Sequence, residues 1–389
     1  MTADPLRLLG VADLVAHAAA ATESPALIVT ADRIPLAYQD LIRLADELAE
    51  RLLRNGLRPG DRMAIRINSS VEFVVGVLAA SRAGIVAVPL DPALPAVEQR
   101  ARIDAVGARV VLVATAAAAG WPLPCWPITV TVSGGGALLD LDPAAELFPA
   151  TAIPDGLQDD DALIMFTGGT TGAPKMVPWN QENIARAVHN IIATYQLSPA
   201  DATVAVMPLY HGHGLIAALL ATLASGATLL LPASGRFSAR TFWADIQAAR
   251  ATWYTAVPTI HQILLRHAET DYPGSQQVPL RFMRSCSAAL SPAVAQELQT
   301  RFAAPVLCAY GMTEATHQIS SMGLSAGGVM LSGQVGRPSG VQIRIVADNG
   351  QICPPGGVGE VWVRGHTVVR GYLGNPTATE HTFLNGWLR

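Results

Sequence analysis

Between residues 38 and 114 the chain alternates helical stretches with short apolar runs, and this alternation constrains its fold more than any other feature. Residues 38–55 have helical periodicity, with Leu41, Leu44, Ala45, Leu48, Leu52 and Leu53 on one face. Gly56 stops that helix. Residues 61–67 then read as a strand, 70–83 as a helix and 85–90 as a strand. A further helix ends over 102–107, before a strand over 109–114. Strands separated by helices predict a parallel sheet with helices on its faces.

Residues 115–154 break the pattern. They hold an alanine run, Pro122, Pro124, Pro127 and three consecutive glycines, Gly134 to Gly136, and read as a surface excursion. A second αβ region follows to about residue 321. From Gly333 onward, runs at 342–346 and 359–364 flank the turn Asp348-Asn349-Gly350 and predict a small β-rich unit. A chain of 389 residues is too long for one ordinary core. The expected fold is α/β, with αβ subdomains at about 1–160 and 161–325 and a barrel-like β subdomain at 326–389.

Composition excludes several classes. A net charge of −4, without basic runs interleaved with aromatics, gives no reason to expect nucleic-acid binding. The four cysteines are scattered with no CxxC spacing and read as reduced thiols of a cytoplasmic protein. The N-terminus shows no basic segment followed by an apolar one. The most membrane-like run, 215–231, is broken by Ser225-Gly226 and is shorter than the roughly 20 residues a span needs. It reads as a buried helix followed by a buried strand, with no membrane span.

One lysine, Lys175, survives beside 25 arginines. It ends the stretch Phe166-Thr167-Gly168-Gly169-Thr170-Thr171-Gly172-Ala173-Pro174-Lys175, which follows an apolar run at 162–166. Glycines let backbone amides approach an anion, threonines add hydroxyl donors, and a compact ammonium suits phosphate. Asn180 and Asn183 are candidate caps for a helix reaching residue 193. Strand, loop and helix together would make an anion site. The loop matches neither Walker A nor GxGxxG, because Lys175 follows Pro174 and precedes Met176. A plain polar hairpin is the alternative.

This loop resembles the Ser/Thr-Gly-Ser/Thr-Thr-Gly-x-Pro-Lys signature of the adenylate-forming superfamily of acyl-CoA synthetases, adenylation domains and luciferases, with Gly169 replacing a hydroxyl residue. Further motifs match in order: Arg58-Pro59-Gly60-Asp61, Ala83-Gly84 through Pro89, Pro208-Leu209-Tyr210-His211-Gly212-His213-Gly214, Ser285-Cys286-Ser287-Ala288-Ala289-Leu290, Tyr310-Gly311-Met312-Thr313-Glu314, Val335-Gly336-Arg337-Pro338 and Gly359-Glu360-Val361-Trp362. The resemblance implies ATP-dependent activation of a carboxylic acid to an acyl-adenylate, with loss of pyrophosphate, and then thioester formation. It implies ATP, Mg²⁺ and coenzyme A as cofactors.

By the same resemblance, Thr167, Gly168, Gly169, Thr170, Thr171, Gly172 and Lys175 would serve mainly the β- and γ-phosphates. Thr313 would donate to the α-phosphate, and Glu314 would help hold Mg²⁺. Tyr310 would stack on adenine, with Gly311, Met312 and the backbones of Ser287, Ala288 and Ala289 around it. His211 would face the reacting carboxylate. Lys175, Thr313, Glu314 and His211 form the implied catalytic set. The His211-Gly212-His213 pair has no visible third ligand for a metal.

The string from Met312 to Ser321, with Arg284-Ser285-Cys286-Ser287, resembles the oxalate–CoA ligase branch. A small diacid needs donors for its second carboxylate, and His213, Ser287 and His317 are the candidates, beside His211. Arg284 stays open between such a role and a structural charge. An amino-acid substrate is disfavoured because 215–220, where adenylation domains usually carry an aspartate, is apolar. Two other readings remain: loading the acid onto a carrier-protein phosphopantetheine, and a catalytically silent nucleotide-binding fragment. Family members continue past the position of Arg389 into a small C-terminal domain. The resemblance therefore implies that this chain is the large N-terminal domain alone, with impaired activity.

Overall fold

A computed structural model describes residues 10–29, 31–118, 121–143, 145–149, 153–167, 174–324 and 333–389. Among them, a seven-stranded sheet runs in the order Gly136–Leu141, Trp126–Ser133, Val110–Ala114, Arg62–Arg66, Val86–Pro89, Asp161–Phe166, Met176–Asn180. Its inner neighbours are parallel and its two outer pairs antiparallel. The helix Tyr38–Arg54 buries Leu41, Leu44, Ala45, Leu48 and Leu52. Leu53, expected on that face, is 42% exposed, because a stripe at 3.6-residue period does not reach the position next to Leu52. The helix Val71–Ala83 is apolar nearly all round and ends at Gly84, whose φ of 66° is the left-handed cap that glycine adopts without steric cost.

The surface excursion expected over 115–154 is partly sheet. Trp126–Ser133 and Gly136–Leu141 form an antiparallel hairpin, and the Trp126 Nε1 donates to the Ala145 carbonyl at 2.7 Å. Alternating burial along Trp126–Ser133 marks a strand with one face on the core.

A second sheet takes strands from distant parts of the chain, in the order Ala202–Val204, Thr228–Leu230, Pro25–Val29, Ile34–Ala37. Sheet pairing thus crosses residue 160 in two places, since Asp161–Phe166 joins the first sheet and Pro25–Val29 the second. A third sheet sets Trp253–Ala256, Phe282–Ser285 and Val306–Tyr310 side by side and parallel. The short Ser320–Ser321 and Arg337–Pro338 add antiparallel. The last sheet, Gln342–Val346, Glu360–Arg364, Trp387–Leu388 and Phe383–Leu384, is antiparallel throughout. The architecture is therefore α/β, with mostly parallel sheets flanked by helices and one small antiparallel sheet.

The apolar run at 215–231 becomes the π-helical His213–Leu220, all eight residues buried, then Ala221–Ala224 and the strand Thr228–Leu230. Among the described residues no helix is long and apolar enough to cross a membrane. None of the four cysteines forms a disulfide, and Cys286 and Cys308 are buried.

Candidate functional site

The strands of the third sheet end together, and crevices at the carboxyl ends of parallel strands collect functional groups. Register pairs Thr255 with Arg284 across the first two strands. Arg284 is fully buried. Its Nε donates to Tyr195 Oη at 2.9 Å, its Nη1 to Thr255 Oγ1 at 3.0 Å and His213 Nε2 at 3.2 Å, and its Nη2 to His317 Nε2 at 3.1 Å and Gln318 Oε1 at 2.9 Å. The two imidazoles stack with centroids 5.0 Å apart. His213 Nδ1 lies 3.1 Å from Ser287 Oγ, and Ser287, Ala288 and Ala289 are exposed. Burial, then the Arg284 charge, hold His317 well below the ordinary histidine range. Burial, then the neighbouring His317 ring and the Arg284 charge, do the same for His213. Both rings are therefore neutral near pH 7.

Backbone geometry brings the motifs together. Past Tyr310 the chain turns through Thr313–Ala315, and His317 N donates back to the Met312 carbonyl at 3.1 Å. Thr316 and His317 sit at φ 48° and 81°, a left-handed region that few non-glycine residues occupy. A Cβ at Gly311 would lie 1.4 Å from the His317 carbonyl oxygen, so only glycine fits there. Gly212 sits against Trp179 and 3.8 Å from His317 Cβ, measured from the position its own Cβ would take. Trp179 Nε1 donates to the Thr313 carbonyl at 2.8 Å. His213, Ser287, His317 and the 312–317 turn thus converge, with His211 at their edge, in the field of Asp91 and Arg102. His211 is exposed, its ring edge-on to Tyr210 at 4.9 Å, and Tyr310 is half-buried.

The approach to the glycine-threonine loop differs from expectation. Asp161–Phe166 leads not into a helix but through the loop into an antiparallel strand, Met176–Asn180. Val177, Pro178 and Trp179 pair with Met165, Ile164 and Leu163, and the edge position tolerates Pro178. The helix Gln181–Tyr195 starts beyond, and Asn180 and Asn183 cap it reciprocally at 2.8 and 3.2 Å. The helix N-terminus is therefore not at the loop. Thr167 N bonds to the Lys175 carbonyl at 3.1 Å, closing the hairpin. Gly168, Gly169, Thr170, Thr171 and Gly172 lie outside the described residues.

Lys175 Nζ lies 4.5 Å above the ring of Tyr372, whose Oη donates to Glu314 Oε1 at 2.8 Å. Glu314 Oε2 has no protein partner among the described residues. Tyr372 is pinned by Leu373 N to the Met176 carbonyl at 3.0 Å and by its own N to Thr379 Oγ1 at 2.9 Å. The sequence reading missed Tyr372, and Thr255, Tyr195 and Gln318 as well. Among the described residues no cluster of three or more His, Cys, Asp or Glu forms a ready metal cage.

Residues 14–373 match the model of the AMP-binding enzyme family. A protein of Arabidopsis thaliana described as an oxalate–CoA ligase is 44% identical over 365 residues, spanning 90% of this chain and 70% of its own. A sulfoacetate–CoA ligase of Cupriavidus necator is 37% identical over 264 residues, 68% of this chain and 50% of its own. The crystal structure of ATP-bound MatB from Rhodopseudomonas palustris superposes with a TM-score of 0.79 at 28% identity, covering 98% of this chain and 75% of MatB. A family match across nearly the whole chain, joined to this convergence of its motifs, is decisive: the chain belongs to the AMP-binding enzyme family and is of the acid–CoA ligase type.

Proposed function

We propose that the protein adenylates a small acid bearing a second anionic group, such as oxalate, and transfers the acyl group to CoA. The observation that carries this reading is a buried charge with no carboxylate partner among the described residues. Arg284 is fully buried, and the side chains it reaches, Tyr195, Thr255, His213, His317, Gln318 and the Cys286 thiol, include no carboxylate. A buried cation without an anion is costly. The second anionic group of the acid, placed at the exposed Ser287 and the His213–His317 pair, would sit in the field of that charge. Oxalate and sulfoacetate, named for two relatives, each carry such a group.

In this reading His211 faces the reacting carboxylate, and Thr313 donates to the α-phosphate of ATP. Tyr310, Gly311, Met312 and the backbones of Ser287, Ala288 and Ala289 wall the adenine. Lys175 and Thr167, with the loop between them, take the outer phosphates. Glu314 fits a cation through its unpartnered oxygen. Mg²⁺ bound there would neutralise charge on the phosphates.

The test is ATP–pyrophosphate exchange by the full-length protein with oxalate, malonate, sulfoacetate, acetate and benzoate, first without CoA. Exchange with an acid that carries a second anion, and AMP plus thioester on adding CoA, are expected. Exchange with acetate or benzoate alone would overturn the substrate class, and exchange with none of the five would overturn the proposed function.

A further inference from the structure

Arg284 does more than supply charge. A guanidinium has five N–H donors and no acceptor, so any ring nitrogen facing it must present a lone pair. Nη1 faces Nε2 of His213, and Nη2 faces Nε2 of His317. We propose that Arg284 is a positioning residue that locks both imidazoles in the Nδ1–H tautomer, so that the acid site presents two hydrogen-bond donors, from Ser287 and His317, to the distal group of its substrate.

The consequences follow bond by bond. The Thr255 hydroxyl accepts from Arg284 Nη1 at 3.0 Å and donates to His213 Nε2 at 2.6 Å, which fixes the same tautomer a second time. His213 Nδ1–H then donates to Ser287 Oγ at 3.1 Å. With an acceptor position filled from behind, the exposed Ser287 hydroxyl turns its own proton outward. Ser287 is held at φ 71°, a left-handed conformation that aims it from the strand end. His317 Nδ1–H has no acceptor among the described residues and is the second outward donor. Nε of Arg284 is tied to Tyr195 Oη, and Tyr195 stacks on Phe282 at 5.0 Å, so the fork itself cannot rotate.

A rim with two outward donors selects the substrate by chemistry. A distal carboxylate or sulfonate accepts from both donors. A distal ammonium would meet two donors and the field of the buried Arg284 charge, so it is disfavoured. Lysine cannot replace Arg284, because one ammonium lacks the rigid fork that reaches both rings at once.

This inference rests on the acid-site reading above, and its test separates the two. Full-length protein labelled with ¹⁵N at histidine is examined by ¹⁵N NMR near pH 7.5, with His213→Gln and His317→Gln identifying the two rings. Wild type is expected to show Nδ1 protonated and Nε2 as acceptor in both; an Nε2–H tautomer in either ring overturns the inference, whatever the acid panel gives. Arg284→Gln is expected to release at least one ring to a mixed tautomer. It should also raise the KM for the diacid by about tenfold to a hundredfold, with the KM for ATP within about twofold. Unchanged tautomers and an unchanged acid KM in Arg284→Gln would overturn it. If that variant does not fold, Thr255→Val decides, since Arg284 alone should then keep His213 in the Nδ1–H form, and its loss would assign the lock to Thr255 instead.

Discussion

Arg284 and Lys175 are both cations beside an aromatic ring, yet the protein treats them differently. Arg284 is enclosed by Tyr195, Thr255, His213, His317, Gln318 and the Cys286 thiol, with no carboxylate partner among the described residues. Lys175 is half-buried, makes no ion pair among the described residues and rests 4.5 Å above Tyr372. On the proposed function, the acid end is thus built before a ligand arrives, while the phosphate end keeps its charges for the ligand to complete. A small rigid acid offers few contacts, so its donors must be preorganised. A nucleotide brings charge of its own, and a mobile ammonium adapts to it. Substitutions at the two ends should accordingly separate stability from activity.

The largest effect is expected at the seam joining the ends. Gly311→Ala drives a Cβ to 1.4 Å from the His317 carbonyl and must displace the turn that carries Thr313, Glu314 and His317. A stability loss of about 3 kcal/mol or more, or failure to fold, is expected in urea unfolding. A wild-type midpoint would mean that the two ends are not rigidly joined.

Acid should attack the acid end first. His261, buried beside Tyr254, is lowered from 6.5 to about 4 by burial, and His213 and His317 are also lowered. The unfolded chain binds these protons more readily than the fold does. Their contribution is therefore complete above pH 6.5 and is lost as pH falls from 6.5 toward 4. His261 alone corresponds to roughly 3 kcal/mol at 1.4 kcal/mol per unit. Thermal melts from pH 7.5 to 4.5 should show a falling Tm, and His261→Gln should flatten the slope. A Tm independent of pH across that range would refute the buried neutral network.

Lys175→Ala should invert this pattern. A loss of about a hundredfold in kcat/KM for ATP is expected, with stability changed by less than about 0.5 kcal/mol. Pyrophosphate exchange and melts on the same sample check both. A large drop in Tm would show that Lys175 is structural and would erase the contrast between the ends.

Legibility divided along similar lines. The helix Tyr38–Arg54 and the strands Arg62–Arg66, Val86–Pro89 and Val110–Ala114 were readable because periodicity and short apolar runs record which face is buried. The exit from the glycine loop was misread as a helix approach. Val177-Pro178-Trp179 is a strand only because it has an edge to pair with, and pairing at that edge is a tertiary fact. Arg284 stayed open between two roles because its partners come from four separate segments, at Tyr195, His213, Thr255 and His317-Gln318. Tyr372 had no local signal, since its meaning lies in reaching Lys175 and Glu314 from a distant turn.

Tyr372 also sets the finest test, because it touches the phosphate end at two points that one substitution can separate. Tyr372→Phe removes the 2.8 Å hydrogen bond to Glu314 Oε1 but leaves the ring under Lys175. Glu314 is only half-buried, so water can replace the lost donor, and the penalty should stay near 1 kcal/mol. The expected outcome is a Mg²⁺ requirement raised by about fivefold with little change in the KM for ATP. Tyr372→Leu also removes the cation–π contact, worth about 0.5–1 kcal/mol at such a site, and should raise the KM for ATP a few-fold as Lys175 loses its rest. Both constants moving equally in Tyr372→Phe would mean that Lys175 and Glu314 act as one coupled unit. Split responses would mean that the phosphate end is a set of separate charges, each waiting for its own part of the nucleotide.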